Sequence, residues 1–176
     1  MNKNQDFGHM YYDENKQVIL STVRPTTHID KERHRASVVV IDSDGKLGFG
    51  KFTTGSQDLL IAGGGVEEDE NLIQALHREA REEMGCKIKN IREVGLLYQY
   101  SYWNNEFEKQ HYHCFLAEID GTKFEPEFTE KEIRDGLSVV WLDLDEALTV
   151  LKKQRQNGGT QTSLLFLEKI KDMIVL

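Results

Sequence analysis

The chain has 176 residues, 39% of them apolar and 30% charged, with two cysteines. That length and balance fit one soluble globular domain with a sizeable core (residues 1–176) and argue against a disordered segment, a disulfide scaffold or a membrane protein. A formal net charge of −8 works against a long nucleic-acid partner, so any phosphorylated ligand is expected to be small and cation-assisted. The polar start of the chain has no apolar signal core, which makes the cytoplasm the expected location.

Residues 1–34 read as an N-terminal extension or a strand packed on the domain. Within and beyond them, residues 17–24 and 35–42 have strand patterns, and Ser43-Asp44-Gly45 turns the second into a further strand over 46–52. The charged residues 25–33 read as a loop. After Gly63-Gly64-Gly65, Asn71 with Gln74 three residues on predicts a helix start, Ile73, Leu76, Ala80 and Met84 form its apolar stripe, and Gly85 ends it. Residues 91–102 and 110–119 are predicted to pair as a hairpin across a polar 103–109 segment. A polar region, 121–136, precedes a short strand over 138–142. Asp143 and Glu146 then suggest a capping box for a helix through Leu151, Gly158 and Gly159 break the chain, and residues 162–173 carry the stripe Leu164, Leu167, Ile170 and Ile174 of a last helix. Cys86 and Cys114 read as small buried hydrophobes.

The chemistry concentrates on the central helix. Glu79, Glu82 and Glu83 stand at i, i+3 and i+4, which gathers three carboxylates on one face, opposite the apolar stripe. Such anions repel one another, so the cluster is explained either by a bound cation or by a solvated acidic face. Hard oxygen ligands without His or Cys favour Mg²⁺, with Mn²⁺ as a substitute. The three glycines upstream permit a main-chain carbonyl to join the same ion, or form a tight turn and nothing more. Tyr98, Tyr100 and Tyr102 alternate on one strand face, with Trp103 beyond, and either stack on a nucleobase or fill core. His111 and His113 share a strand face with no third ligand evident nearby in sequence; His28, His34 and His77 carry no motif.

Gly64, Glu70 and the run Arg78-Glu79-Ala80-Arg81-Glu82-Glu83-Met84-Gly85-Cys86 resemble the signature box of the Nudix hydrolase family at every fixed position. Strands before the box, a hairpin after it and Trp141-Leu142-Asp143 leading a helix extend the resemblance over most of the chain. It implies an α/β fold, a mixed β-sheet sandwiched between helices, with the box as loop, helix and loop beside the substrate cleft. It further implies Glu82 and Glu83 as metal ligands, Glu79 as a further ligand or general base, and Gly63 as the carbonyl donor. Arg78 would orient the carboxylates and Glu70 would support the loop. Lys51 matches the family's basic position, Arg35 is a weaker phosphate candidate, and Glu132 is favoured over Glu130 and Asp135 for a further acid. The implied activity is Mg²⁺-dependent hydrolysis of a diphosphate linkage in a nucleoside diphosphate derivative or nucleoside triphosphate, by a chain that can form a homodimer. A catalytically silent nucleotide-binding module and a hydrolase of a non-nucleotide diphosphate remain the alternatives.

Overall fold

A computed structural model describes residues 6–12, 18–25, 27–54, 58–103, 105–154 and 157–174. In chain order the elements are β1 (Asp6–Tyr12), β2 (Val18–Ser21), β3 (Lys31–Ile41), β4 (Leu47–Phe52), β5 (Leu59–Leu60), β6 (Ala62–Gly65), α1 (Leu72–Met84), β7 (Ile88–Trp103), β8 (Glu106–Ile119), α2 (Glu130–Arg134), β9 (Leu137–Leu142), α3 (Leu144–Lys153) and α4 (Gly158–Ile174). The start of the expected first strand, Gln17, and the side chains of Trp103 and Ile174 lie outside the described residues.

The strands form one mixed sheet in the order β2-β1-β7-β8-β3-β4-β5, with β6 paired to β3 and β9 to β4. The valines of β3 explain why both faces are covered. Val39 points into a core with Leu47, Phe49, Leu97, Leu116 and the α4 residues Phe166 and Ile170. Val38 and Val40 point the other way, into a core with Leu76, Ala80 and Met84 of α1 and Phe115 of β8. A strand buried on both faces reads as a continuous apolar run, which is what residues 38–41 are. The result is the expected helix–sheet–helix sandwich. Both cysteines are buried as expected.

Several boundaries differ from the sequence reading. β1, within the 1–34 segment expected as an extension or a packed strand, runs parallel to β7 and antiparallel to β2, and its Phe7 and Met10 are core residues. β3 begins at Lys31, inside the expected loop, because parallel pairing with residues 108–112 of β8 satisfies its backbone despite its charged side chains. The β7–β8 pairing likewise extends to Trp103 and Glu106, consuming most of the expected polar connection. Within the polar 121–136 region, Thr129 and Glu132 form a reciprocal capping box that starts α2. Asp143 sits at the N-cap of α3 but makes no capping hydrogen bond; its carboxylate accepts from Lys46 Nζ at 3.3 Å instead. Gly158 and Gly159 begin α4 rather than breaking the chain, since Asn157 accepts from the Thr160 N–H at 3.0 Å and Gly159 sits close under Leu60.

α1 ends where expected. Gly85 has φ 61° and ψ 43°, its N–H donates to the Ala80 carbonyl, and its own carbonyl accepts from Phe124 N–H at 2.7 Å. A Cβ there would strike the Phe124 carbonyl. Gly85→Ala is expected to lower stability by roughly 1–2 kcal/mol from the left-handed backbone alone, read as a lower urea midpoint at unchanged m-value.

Candidate metal and catalytic site

The box is assembled on β3. Ser37, Ala36 and Arg35 pair with Gly63, Gly64 and Gly65 of β6, so the glycine run is drawn flat against the sheet edge. Its glycines are required sterically: a Cβ on Gly63, at φ 149°, would meet the Ala36 carbonyl and Ser37, and one on Gly64 would collide with the Glu79 carboxylate. Asn71 then starts α1 by accepting from the Ile73 and Gln74 N–H groups at 3.0 Å each, while the Gln74 side chain accepts from Asn71 N–H at 2.8 Å. The loop is thus short, fixed at both ends, and pressed against the acidic side of the helix.

One guanidinium organises the carboxylates. Arg78 grips Glu70 with two bonds, Nη2 to Oε1 at 2.6 Å and Nε to Oε2 at 3.2 Å, and its Nη1 donates to Glu79 at 2.6 Å and Glu82 at 3.1 Å. Nη2 also donates to the Gly65 carbonyl at 2.9 Å. Arg78 therefore ties the loop to the helix, and Glu70 completes the clamp by accepting from Glu67 N–H at 3.0 Å. This hydrogen bonding holds the Glu70 carboxyl below its usual range, the Arg78 bonds being the main cause.

Glu83 is held differently: its Oε2 accepts the Gly63 N–H at 2.9 Å. Burial is the main cause that pushes its carboxyl up to about 8, with further contributions from the charges of Glu79 and Glu132. Burial also raises Glu79, against the pull of Arg78. The acidic cluster is therefore not a solvated face: Glu79 is buried, and Glu82 and Glu83 are partly so. One arginine cannot neutralise four converging carboxylates, and two of them are desolvated. Carboxylates and the Gly63 carbonyl make an all-oxygen donor set, the kind that suits a hard divalent cation. The residues present fit such an ion.

Arg35 joins this group. Its Nη2 donates to the Gly63 carbonyl at 3.4 Å, its guanidinium lies over the Tyr112 ring, and its charge favours the ionised forms of Glu79 and Glu83. Its Nε is buried without a hydrogen-bond partner. Of the three acids considered from the 121–136 region, Glu132 is the one whose charge bears on Glu83, while Asp135 pairs with Lys131 and Arg134. Lys51 is exposed on β4 between β5 and β9, and among the described residues its ammonium forms no ion pair.

Of the two readings of the aromatic face, Tyr100 follows the core one. Tyr100 is 1% exposed, stacked on Phe107 with its hydroxyl 3.0 Å from His9 Nδ1, so it offers no face to a base. Tyr102 is exposed and tilted against Phe107 near the hairpin tip. The box meets the sheet at residues 35–38, opposite 112–115 of β8, whereas Tyr102 pairs with Phe107, five residues further along that strand. At about 3.4 Å per residue this is a separation of about 17 Å along β8.

A carboxylate-bearing loop and helix thus lie against a mixed sheet with helices on both faces, an α/β sandwich. The model of the NUDIX domain matches residues 31–163. The Nudix hydrolase YfcD of Salmonella typhi is 31% identical over 142 residues, which is 76% of this chain and 71% of that protein. Among solved structures, a NUDIX hydrolase from Nitrosomonas europaea superposes with a TM-score of 0.59 at 16% identity, covering 81% of this chain and 90% of its own. The NUDIX domain of Shewanella oneidensis NrtR, crystallised with ADP ribose, also gives 0.59, at 15% identity over 82% of this chain and 89% of its own. The chain belongs to the Nudix hydrolase family and is a hydrolase acting on diphosphate bonds. No helix among the described residues is long and apolar enough to cross a membrane.

The buried carboxylates make stability depend on pH and cation together. Native Glu83 retains, up to about pH 8, a proton that the unfolded chain releases near 4.5, so it contributes a loss of stability as pH rises through that window. In a chelator, Tm of the wild type is expected to fall from pH 7 to pH 8.5 more steeply than that of Glu83→Gln. Added Mg²⁺ should raise the wild-type Tm most at the upper end. Equal slopes for the two proteins in a thermal scan would contradict this account.

Proposed function

We propose that this chain hydrolyses a diphosphate linkage in a small nucleotide derivative, a nucleoside diphosphate joined to another group or a nucleoside triphosphate, with Mg²⁺ as cofactor and Mn²⁺ as its substitute. The observation that carries the reading is the Arg78 clamp, which presents Glu79 and Glu82 beside a Glu83 that is hydrogen-bonded to the glycine loop. The ADP ribose in the NrtR crystal structure supports a nucleotide of this kind.

In this reading Glu79, Glu82, Glu83 and the Gly63 carbonyl hold the divalent ion. When bound, the ion neutralises phosphate charge and acidifies water. Arg78 spends its donors on protein oxygens and so positions carboxylates rather than touching substrate. Arg35 is suited to a phosphate oxygen, because its guanidinium stands beside the Gly63 carbonyl at the box. Glu79 or Glu132 takes the proton of the attacking water, which forms the new phosphorus–oxygen bond as the bond to the leaving phosphate breaks. Lys51 contributes a further positive charge toward that phosphate.

The test is phosphate and nucleotide release from nucleoside triphosphates, ADP-ribose, nucleotide sugars, dinucleoside polyphosphates and non-nucleotide diphosphates with Mg²⁺. Turnover of a nucleotide is expected, with kcat reduced on the order of 100-fold or more in Glu82→Gln. Turnover confined to non-nucleotide diphosphates would replace the substrate class, and tight nucleotide binding without turnover would replace the activity. Arg35→Ala should raise KM about 10- to 100-fold with a smaller effect on kcat, the loss of one charge-assisted phosphate contact.

A further inference from the structure

A second group of ligating side chains lies outside the box. The parallel pairing of β3 with β8 sets His34 beside His111 and Ala36 beside His113, so three imidazoles from two strands stand on one face of the sheet. Each offers a ring nitrogen, and the three nitrogens lie within 4.8 Å of one another. His34 Nδ1 and His113 Nε2 are 3.0 Å apart, and the His34 and His111 rings stack with centroids 4.4 Å apart. His113 Nδ1 is buried without a partner.

We propose that His34, His111 and His113 form a binding site for a borderline divalent transition-metal ion of the Zn²⁺ type, distinct from the carboxylate box. The donor chemistry separates the two sites: imidazoles select Zn²⁺, Cu²⁺ or Ni²⁺, whereas the all-oxygen box selects Mg²⁺ or Mn²⁺. Glu32 supplies the outer support such sites use. Its Oε2 lies 2.6 Å from His111 Nε2 and also accepts from Lys109 Nζ at 3.2 Å, which leaves the Nδ1 lone pair of His111 available. Ligand nitrogens about 2.0–2.1 Å from a tetrahedral ion are roughly 3.3 Å apart, close to the 3.0 Å between His34 Nδ1 and His113 Nε2, and the third nitrogen, within 4.8 Å of both, has to turn inward to join them.

Three protein ligands leave a fourth position open, as in zinc sites that take a water or an anionic oxygen. His34 lines an open cleft of about 590 Å³ that also touches Arg35, Gly65, Val66 and Leu72. By strand alternation His34 shares its face of β3 with Val38 and Val40, which pack against α1, while Arg35 leaves the other face; the histidine cluster is separate from the carboxylates in its residues, not by the sheet.

Competition for Zn²⁺ against a chromophoric chelator, with Mg²⁺ in saturating excess, tests the site on the full chain. One Zn²⁺ per chain is expected, bound equally well by Glu82→Gln and at least about 100-fold more weakly by His111→Asn and by the exposed His34→Asn. Glu32→Gln should weaken it about 10- to 100-fold. With Co²⁺ as the probe, the wild type should show the visible absorption of a low-coordinate imidazole site, and His34→Asn should lose it while retaining its circular dichroism. Absence of stoichiometric Zn²⁺ binding, or binding abolished by Glu82→Gln and indifferent to the histidine substitutions, would overturn the proposal. Neither result bears on nucleotide hydrolysis, so failure here leaves the preceding reading untouched.

Discussion

The Arg78 guanidinium meets Glu70, Glu79, Glu82 and the Gly65 carbonyl at once, so the loop, the start of α1 and the acidic cluster take their relative positions from a single planar group. A lysine carries the same charge but cannot reproduce the fork that grips Glu70 in two places. The neutralisation is nonetheless incomplete by design of the sequence: Glu83 has a backbone N–H and no ion pair among the described residues. The fold therefore holds the carboxylates in place without satisfying their charge, which is the condition under which a cation binds with useful affinity.

β3 is the element through which separate features communicate. Along one edge, residues 35–38 carry the glycine strand; along the other, residues 31–41 pair with β8. Arg35 donates to the Gly63 carbonyl of the box, while His34, on the face that packs against α1, reaches the two histidines of β8. The apolar residues of the same strand anchor both cores, and its charged end, exposed at its side chains, is held by backbone pairing with β8.

Elements governed by local chemistry were readable from the residues. Asn71 with Gln74 and Gly85 bounded α1 correctly, and the box spacing placed the glutamates on the helix that carries them, but Ile73 of the expected stripe is exposed and Glu79, expected opposite it, is buried. What escaped was decided by pairing at long range. Lys31 to Arg35 are charged and look like loop, yet β8 supplies their ladder; β1 is polar at its start, yet Phe7 and Met10 complete a core built by α4 and β7. The same reason hid His34, whose partners lie 77 and 79 positions away. Tyr100 was ambiguous from alternation, since alternation says which residues share a face but not what covers that face; His9 and Phe107 cover it. Thr129 with Glu132 was a legible helix start that a region of polar composition concealed.

The parallel contact between β3 and β8 has a consequence for the order in which the molecule forms. A parallel pair has no hairpin to bring it together, and the segment that must be looped out between these strands contains the whole box helix and β7. The β7–β8 hairpin and α1 have local contacts and can arise early, whereas closing β3 onto β8 carries the larger entropy of a long loop. Arg35 is held beside Tyr112 only after that closure, while the glutamates are already on their helix. Loop-closure entropy therefore favours late assembly of the polar centre, and a chain stalled before it would retain most of its secondary structure without a working cleft.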